Sequence, residues 1–209
     1  MSKLYYTESG HSIPWHGEEI TTFRRARKLL RLEATYSPAT LYVLVRNYRD
    51  SGFPLRISVN GTEIGPVPSL SPDLYRWHSI NLATELLRLG DNIFEFWCDS
   101  TAMNAWSLGL EAGHAGPNSY VSDDEGLNWR NHHMGYLNVE RGEYVVRVRL
   151  SEGDDEPAPA VVQEQLSSPR VDSLKRLVPR KAQVSGSLLE RVRVLTTWLS
   201  SSWEHTPPP

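Results

Sequence analysis

Leu55-Arg56-Ile57-Ser58-Val59-Asn60-Gly61-Thr62-Glu63-Ile64 is the stretch whose reading decides the fold. Leu55, Ile57 and Val59 recur with period two, the spacing that lines one face of a β-strand. Asn60-Gly61 then offers the two positive-φ positions of a type I′ turn, so Thr62-Glu63-Ile64 is predicted to pair back against Ile57-Ser58-Val59. A lone hairpin is marginal in water, and this one needs further strands to cover its apolar face.

Those strands are legible on both sides. Downstream, Tyr75 to Leu82 reads as a strand and Ala83 to Leu89 as a short helix-favouring stretch. Gly90-Asp91-Asn92 turns into the aromatic strand Asn92 to Asp99, and Trp106 to Leu110 and Glu143 to Leu150 complete the set. In the last of these Tyr144, Val146, Val148 and Leu150 share a predicted core face, while Arg147 and Arg149 share a face predicted to meet solvent or ligand. Upstream, Thr40 to Tyr48 places Leu41, Val43 and Val45 on one face and Tyr42, Leu44, Arg46 and Tyr48 on the other, before Ser51-Gly52-Phe53-Pro54 turns the chain. Between Ile20 and Tyr36 two periods compete. Ile20, Phe23, Arg27 and Leu30 fit a helix, whereas Leu30, Leu32, Ala34 and Tyr36 alternate, and a strand from about Lys28 to the break at Pro38 is preferred. Tyr5 to Trp15 is read as an irregular lead-in or edge strand limited by Pro14. About eight strands in this order predict a mainly β fold, a two-sheet antiparallel jelly-roll sandwich with a C-terminal helical segment.

The sandwich is assigned to residues 1–152, because Ser151-Glu152-Gly153-Asp154-Asp155-Glu156-Pro157-Ala158-Pro159-Ala160 is acidic and proline-containing, as a solvated linker is. Residues 153–184 form that linker. Residues 185–209 hold an amphipathic helix and a proline tail: Ser187 and Glu190 make an S-x-x-E capping box, and Leu188, Val192, Leu195, Leu199 and Trp203 form one apolar stripe.

Composition narrows the function. Twenty-two Lys and Arg stand against 25 Asp and Glu, for a net charge of -3. The chain therefore carries no global positive field, and nucleic acid is not an expected partner. Met1-Ser2-Lys3-Leu4-Tyr5-Tyr6 lacks a basic region followed by an apolar core, and no stretch is apolar enough to span a bilayer. No membrane association and a cytoplasmic location are expected. Asn60-Gly61-Thr62 fits a glycosylation pattern, but without a secretory signal it is read as the hairpin turn. The single cysteine, Cys98, closes the apolar run Phe94 to Cys98 and is predicted to be a buried thiol.

Ser122-Asp123-Asp124-Glu125-Gly126-Leu127-Asn128-Trp129 resembles the Asp-box of sialidases and related β-proteins, S-x-D-x-G-x-x-W, at every defined position. The resemblance implies a structural hairpin in which Asp124 ties down the turn and Trp129 packs inward. It covers eight residues in one copy and does not imply sialidase activity. Over a wider span, Ile57 to Gly65, Leu82 to Leu87, Gly90-Asp91-Asn92 and Ile93 to Trp97 are similar to the galactose-binding-like jelly rolls used as accessory domains, an order that covers roughly Thr40 to Leu150. That likeness implies carbohydrate recognition by exposed aromatic rings, which stack on pyranose faces, beside polar side chains that bind hydroxyls. The candidates are Trp15, Tyr75, Trp106, Tyr120 and Tyr136, with His114, Asn118, Asp123 and Arg130 as polar partners. Trp77, Trp97 and Trp129 are assigned to the core.

No catalytic or metal site is expected. His132 and His133 are adjacent and would point to opposite faces of a strand, with no zinc-spaced partner. Asp123, Asp124 and Glu125 offer hard oxygens to calcium, a structural ion of galactose-binding-like modules, but the box already employs one carboxylate. Nothing activates Cys98, and neither a G-x-S-x-G nor a Walker-type loop is present. Ser187 to His205 resembles the opening helix of transglutaminase-like (papain-type) domains, without their Cys, His and Asp. The expected function is thus a non-catalytic carbohydrate or glycoconjugate binding module, accessory to a larger protein. The alternatives are an N-terminal fragment of a transglutaminase-like enzyme lacking its active site, and an interaction scaffold whose C-terminal helix binds a protein partner.

Overall fold

The computed structural model describes residues 2–9, 16–35, 38–48, 52–67, 75–103, 105–113 and 116–151. In chain order its strands are β1 (Ser2–Tyr5), β2 (His16–Ile20), β3 (Arg25–Leu32), β4 (Ala39–Asn47), β5 (Leu55–Val59), β6 (Thr62–Glu63), β7 (Arg76–Leu82), β8 (Gly90–Cys98), β9 (Trp106–Ala112), β10 (Ser119–Ser122), β11 (Gly142–Tyr144) and β12 (Val146–Ser151). The hairpin forms as its sequence predicts. Asn60 and Gly61 take φ of 51° and 86°, and Val59 and Ser58 pair with Thr62 and Glu63. Asn60 is also pinned from its side chain, whose Oδ1 accepts the Ile93 N–H at 3.0 Å while Nδ2 donates to the Leu86 carbonyl at 2.7 Å.

Two antiparallel sheets pack face to face. One has five strands in the order β10-β3-β8-β5-β6; the other has seven, β1-β12-β4-β9-β11, with β2 paired to β9 and β7 to β4. Leu30, Leu55, Ile57, Phe94 and Phe96 from the first sheet meet Leu41, Val43, Leu108, Val146 and Val148 from the second in one core. The fold is therefore mainly β, a sandwich of two antiparallel sheets. No helix among the described residues is long and apolar enough to cross a membrane.

Several local expectations are corrected. The strand expected from about Lys28 begins at Arg25, and β2 precedes it where the sequence was ambiguous. Only Thr84–Leu86 of the helix-favouring stretch turns, as one 3-10 turn. The closing strand is not continuous, because the chain changes partner at Val145. Before it β11 pairs antiparallel with β9, and after it β12 pairs antiparallel with β4. Since β4 and β9 are themselves antiparallel, the chain must turn sharply there. Val145 bridges both neighbours, donating its N–H to the Gly109 carbonyl at 2.9 Å and accepting the Leu44 N–H at 3.1 Å.

On the Arg147 and Arg149 face, expected to meet solvent or ligand, Arg149 stays partly exposed but Arg147 is buried. Arg147 is 1% exposed because its Nε donates to Glu8 Oε1 at 2.5 Å and its guanidinium lies 5.1 Å from the Trp77 ring and 5.0 Å from the Tyr6 ring. The linker and the C-terminal helix, residues 153–184 and 185–209, lie outside the described residues.

Candidate functional site

Alternation along β3 and β8 decides what the five-stranded sheet shows on its outer face. Ala26, Lys28, Leu30 and Leu32 point inward on β3, which turns Arg25, Arg27 and Arg31 outward. Phe94, Phe96 and Cys98 point inward on β8, which turns Glu95 and Trp97 outward. The register lines these up. Ser122 lies opposite Arg25 and Arg56 opposite Trp97, so Ser122, Arg25, Trp97 and Arg56 form one row across four strands, roughly 14 Å long at about 4.8 Å per strand. In the next row Tyr120, Arg27, Glu95 and Ser58 are opposed in turn.

This face is a ladder of rings and guanidinium planes. Arg25 and Arg56 approach the Trp97 ring centroid to 5.6 and 5.3 Å, and Arg27 lies 3.9 Å from that of Trp129, distances at which cation–π attraction operates. Each arginine also meets an acid: Arg27 Nη2 reaches Glu95 Oε1 at 2.5 Å, Arg56 reaches Glu63 at 2.7 Å and Asp99 at 3.1 Å, and Arg25 lies 3.8 Å from Glu125. Three guanidinium groups thus face four carboxylates. The platform offers both donors and acceptors without a net positive charge.

Trp129 reaches this face through the Ser122–Trp129 turn, in which Asp124 ties down the turn as expected but Trp129 lies half-buried on the outer face instead of packing inward. Asp124 Oδ1 accepts from the Ser122 hydroxyl at 2.7 Å and the Asn128 N–H at 2.8 Å, and Oδ2 accepts from Asn128 Nδ2 at 2.6 Å. The Asn128 amides and the Ser122 hydroxyl hold the Asp124 carboxyl down at about 2. Glu125 and Gly126 take φ of 60° and 89°, and Trp129 Nε1 closes the turn on the Gly126 carbonyl at 2.8 Å. With both oxygens of Asp124 committed within the turn, the run has little left for calcium. Among the described residues no three His, Cys, Asp or Glu side chains gather as metal ligands do.

Beside the turn, Arg24 joins loops far apart in sequence. Its Nε donates to Glu18 Oε1 at 2.5 Å, Nη1 to Asp123 Oδ1 at 2.7 Å and Nη2 to Asn138 Oδ1 at 2.9 Å. Glu18 Oε2 in turn accepts the Gly135 N–H at 2.8 Å and the Tyr144 hydroxyl at 3.0 Å. Burial and the adjoining Glu18 carboxylate push the Tyr144 phenol well above its ordinary value, so it remains a donor. Arg130 pairs with the other oxygen of Asp123. The structure therefore brings the expected Asp123 and Arg130 together, with Tyr136, 57% exposed, on the adjoining loop.

The other candidates disperse. Trp106 is not a ligand-facing residue: it is fully buried at the start of β9, opposite Ile20, and donates Nε1 to the Phe53 carbonyl at 2.7 Å. Tyr75 lies over the seven-stranded sheet, its hydroxyl 2.8 Å from Ser107 Oγ. Tyr120 stands on the outer face of the five-stranded sheet with its hydroxyl on the Pro117 carbonyl at 2.7 Å. Asn118 uses its backbone, donating N–H to Glu143 Oε1 at 3.2 Å and lending its carbonyl to Leu29 N–H. Trp15 and His114 lie outside the described residues. Trp97 and Trp129, assigned to the core, are half-buried on the outer face instead. The signal for Trp97 was available, because it shares parity with Glu95 rather than with Phe94 and Phe96.

A buried ion pair lies below the platform. Lys28 Nζ sits 2.5 Å from Glu143 Oε2 with both side chains wholly buried. Burial lowers Lys28, while for Glu143 the Lys28 ammonium and the Thr7 and Ser119 hydroxyls outweigh burial and hold the carboxyl below its ordinary range. Closed off from solvent, this pair is structural.

No family model matches the chain, and no curated protein matches it. Among solved structures it is similar to one of infectious bursal disease virus, Gx strain, at 14% identity over 84% of this chain and 47% of that chain, with a TM-score of 0.22. The chain spans about half the length of that protein. At that score the likeness carries no argument about fold or function.

Proposed function

We propose that this chain is a non-catalytic carbohydrate or glycoconjugate binding module of the galactose-binding-like jelly-roll type, accessory to a larger protein, with the outer face of the five-stranded sheet as its binding surface. The observation that carries the reading is the placement of Trp97 and Trp129 on that face, each beside arginine planes. Indole and guanidinium planes suit the C–H faces of pyranose rings, and Arg27–Glu95 and Arg56–Glu63 supply paired donors and acceptors for hydroxyls. Because carboxylates balance the arginines, the surface favours a neutral glycan over a sulfated or uronic one. Tyr120 extends the platform toward Asp123 and Arg130.

Calorimetric titration with a panel of neutral oligosaccharides and one sulfated oligosaccharide tests this. Trp97→Ala is expected to weaken binding of a neutral glycan about tenfold, near the 1.4 kcal/mol expected for a lost ring contact, with the melting transition still cooperative. Tyr136→Ala, off the platform, should bind as the parent does. If no neutral glycan binds, or if Trp97→Ala binds unchanged, the reading fails.

A further inference from the structure

β7 is the longest strand among the described residues with a partner on one side alone. It lies along β4 from Arg76, opposite Val45, to Leu82, opposite Ala39. Which of its backbone groups face away follows from β4. Leu44 donates its N–H to the Val145 carbonyl and Tyr48 donates to that of Ala105, both on the side away from β7. Hydrogen bonding alternates along an antiparallel strand, so Val43 and Leu41 are residues that bond to β7, at His78 and Ile80. Ser79 and Asn81 therefore turn their N–H and C=O groups outward from the sheet edge. Both residues are exposed, and no other described residue bonds to these groups. Nothing in β7 blunts this edge. Its seven residues contain no proline or lysine and keep an unbroken register, whereas the edge strands β1 and β6 are only four and two residues long.

Open backbone groups would accept any extended chain, and the side chains select which. The edge is complementary to itself. A twofold axis at Ile80 sets Ser79 opposite the partner's Asn81 and Asn81 opposite the partner's Ser79, each pair exchanging both of its N–H···O bonds. Ile80 then meets its own counterpart. It is half-buried, already packed against the core, and in this register it falls in the pair type that brings side chains closest. Charge fits the same axis. Arg76 and Glu85 stand at the two ends of the edge, both exposed and neither in an ion pair with another described residue. The twofold brings each Arg76 level with the partner's Thr84–Leu86 turn, which carries Glu85. The contact is thereby made twice.

We propose that two copies of this chain associate through β7, edge to edge and antiparallel about a twofold axis at Ile80, joining their seven-stranded sheets into one. The aromatic and arginine platform lies on the other sheet, so this inference is independent of glycan binding.

Analytical ultracentrifugation of the full chain tests it. The mass is expected to rise from one chain to two between about 1 and about 100 μM protein. Ser79→Pro removes an outward N–H and spares every β4–β7 bond, so it should stay monomeric with a cooperative melt. Arg76→Glu, at an exposed and unpaired position, should weaken association about tenfold through its two symmetric contacts, and Arg76→Glu with Glu85→Arg should restore it. Under oxidation Ile80→Cys should cross-link two chains and Ser79→Cys should not, since Cys98 is buried and the two Ser79 positions lie beyond disulfide reach in this register. A single-chain mass at every concentration would overturn the proposal. So would a dimer indifferent to Ser79→Pro and Arg76→Glu, which would place the contact elsewhere, or one that cross-links through Ser79→Cys and not Ile80→Cys.

Discussion

Asp124 shows how much one carboxylate can organise, since its two oxygens accept three hydrogen bonds and so set an eight-residue turn. Its carboxyl is held at about 2, below the ordinary 3.8. A group with a depressed folded-state value stabilises fully above its unfolded value, and that contribution is lost as pH falls through the folded one. Asp124→Asn should therefore melt lower than the parent from neutral pH to about pH 4, and the two melting temperatures should converge near pH 2 in a pH series followed by circular dichroism. Lys28 and Glu143 provide a second test in urea denaturation. Lys28→Met strands a buried carboxylate and should cost about 3–5 kcal/mol, whereas Lys28→Met with Glu143→Leu should recover most of that loss. This pair was only half legible. Lys28 shares parity with Ala26 and Leu30, which marks it as inward, but nothing near it in sequence names Glu143 as its partner.

The hairpin and the Val145 turn mark the two extremes among elements. Asn60-Gly61 is specified by local backbone preference, so Gly61→Ala, at φ 86°, should cost about 1 kcal/mol without altering the register, as read from urea midpoints and amide shifts. Val145 carries no such signature. Tyr144, Val146 and Val148 alternate as an unbroken strand would, and the break arises because two diverging neighbours, β4 and β9, compete for the same backbone. Gly142, where β11 begins, is equally silent in sequence. A Cβ there would stand 2.3 Å from the Glu111 carbonyl oxygen, a backbone contact with little room to yield. Gly142→Ala should destabilise by about 2 kcal/mol, measured by urea denaturation.

For the whole molecule, Cys98 provides a built-in reporter of opening. It is fully buried in the core, its thiol 3.2 Å from the Ile20 carbonyl, and burial pushes its ionisation up. Its reaction with a disulfide reagent should follow global unfolding rather than local fluctuation, so the labelling rate should rise with urea in step with loss of the circular dichroism signal. Under the proposed function, a bound neutral glycan should slow that labelling, because a ligand of the folded state lowers the open population.

What the sequence determined by itself is what local forces control: the period-two strands, the Asn60-Gly61 turn, the Asp124 turn and the burial of Cys98. Each follows from backbone preference or side-chain parity within a few residues. The tertiary structure alone decided the rest. Arg24 finds Asp123 and Asn138 across 99 and 114 residues of chain, and Arg147 is buried because Glu8, from the other end of the sandwich sequence, neutralises it. Charge burial depends on a partner that only packing delivers. For that reason the aromatic and arginine platform on the five-stranded sheet, rather than the dispersed loop residues, emerged as the candidate site only when the strands were set side by side.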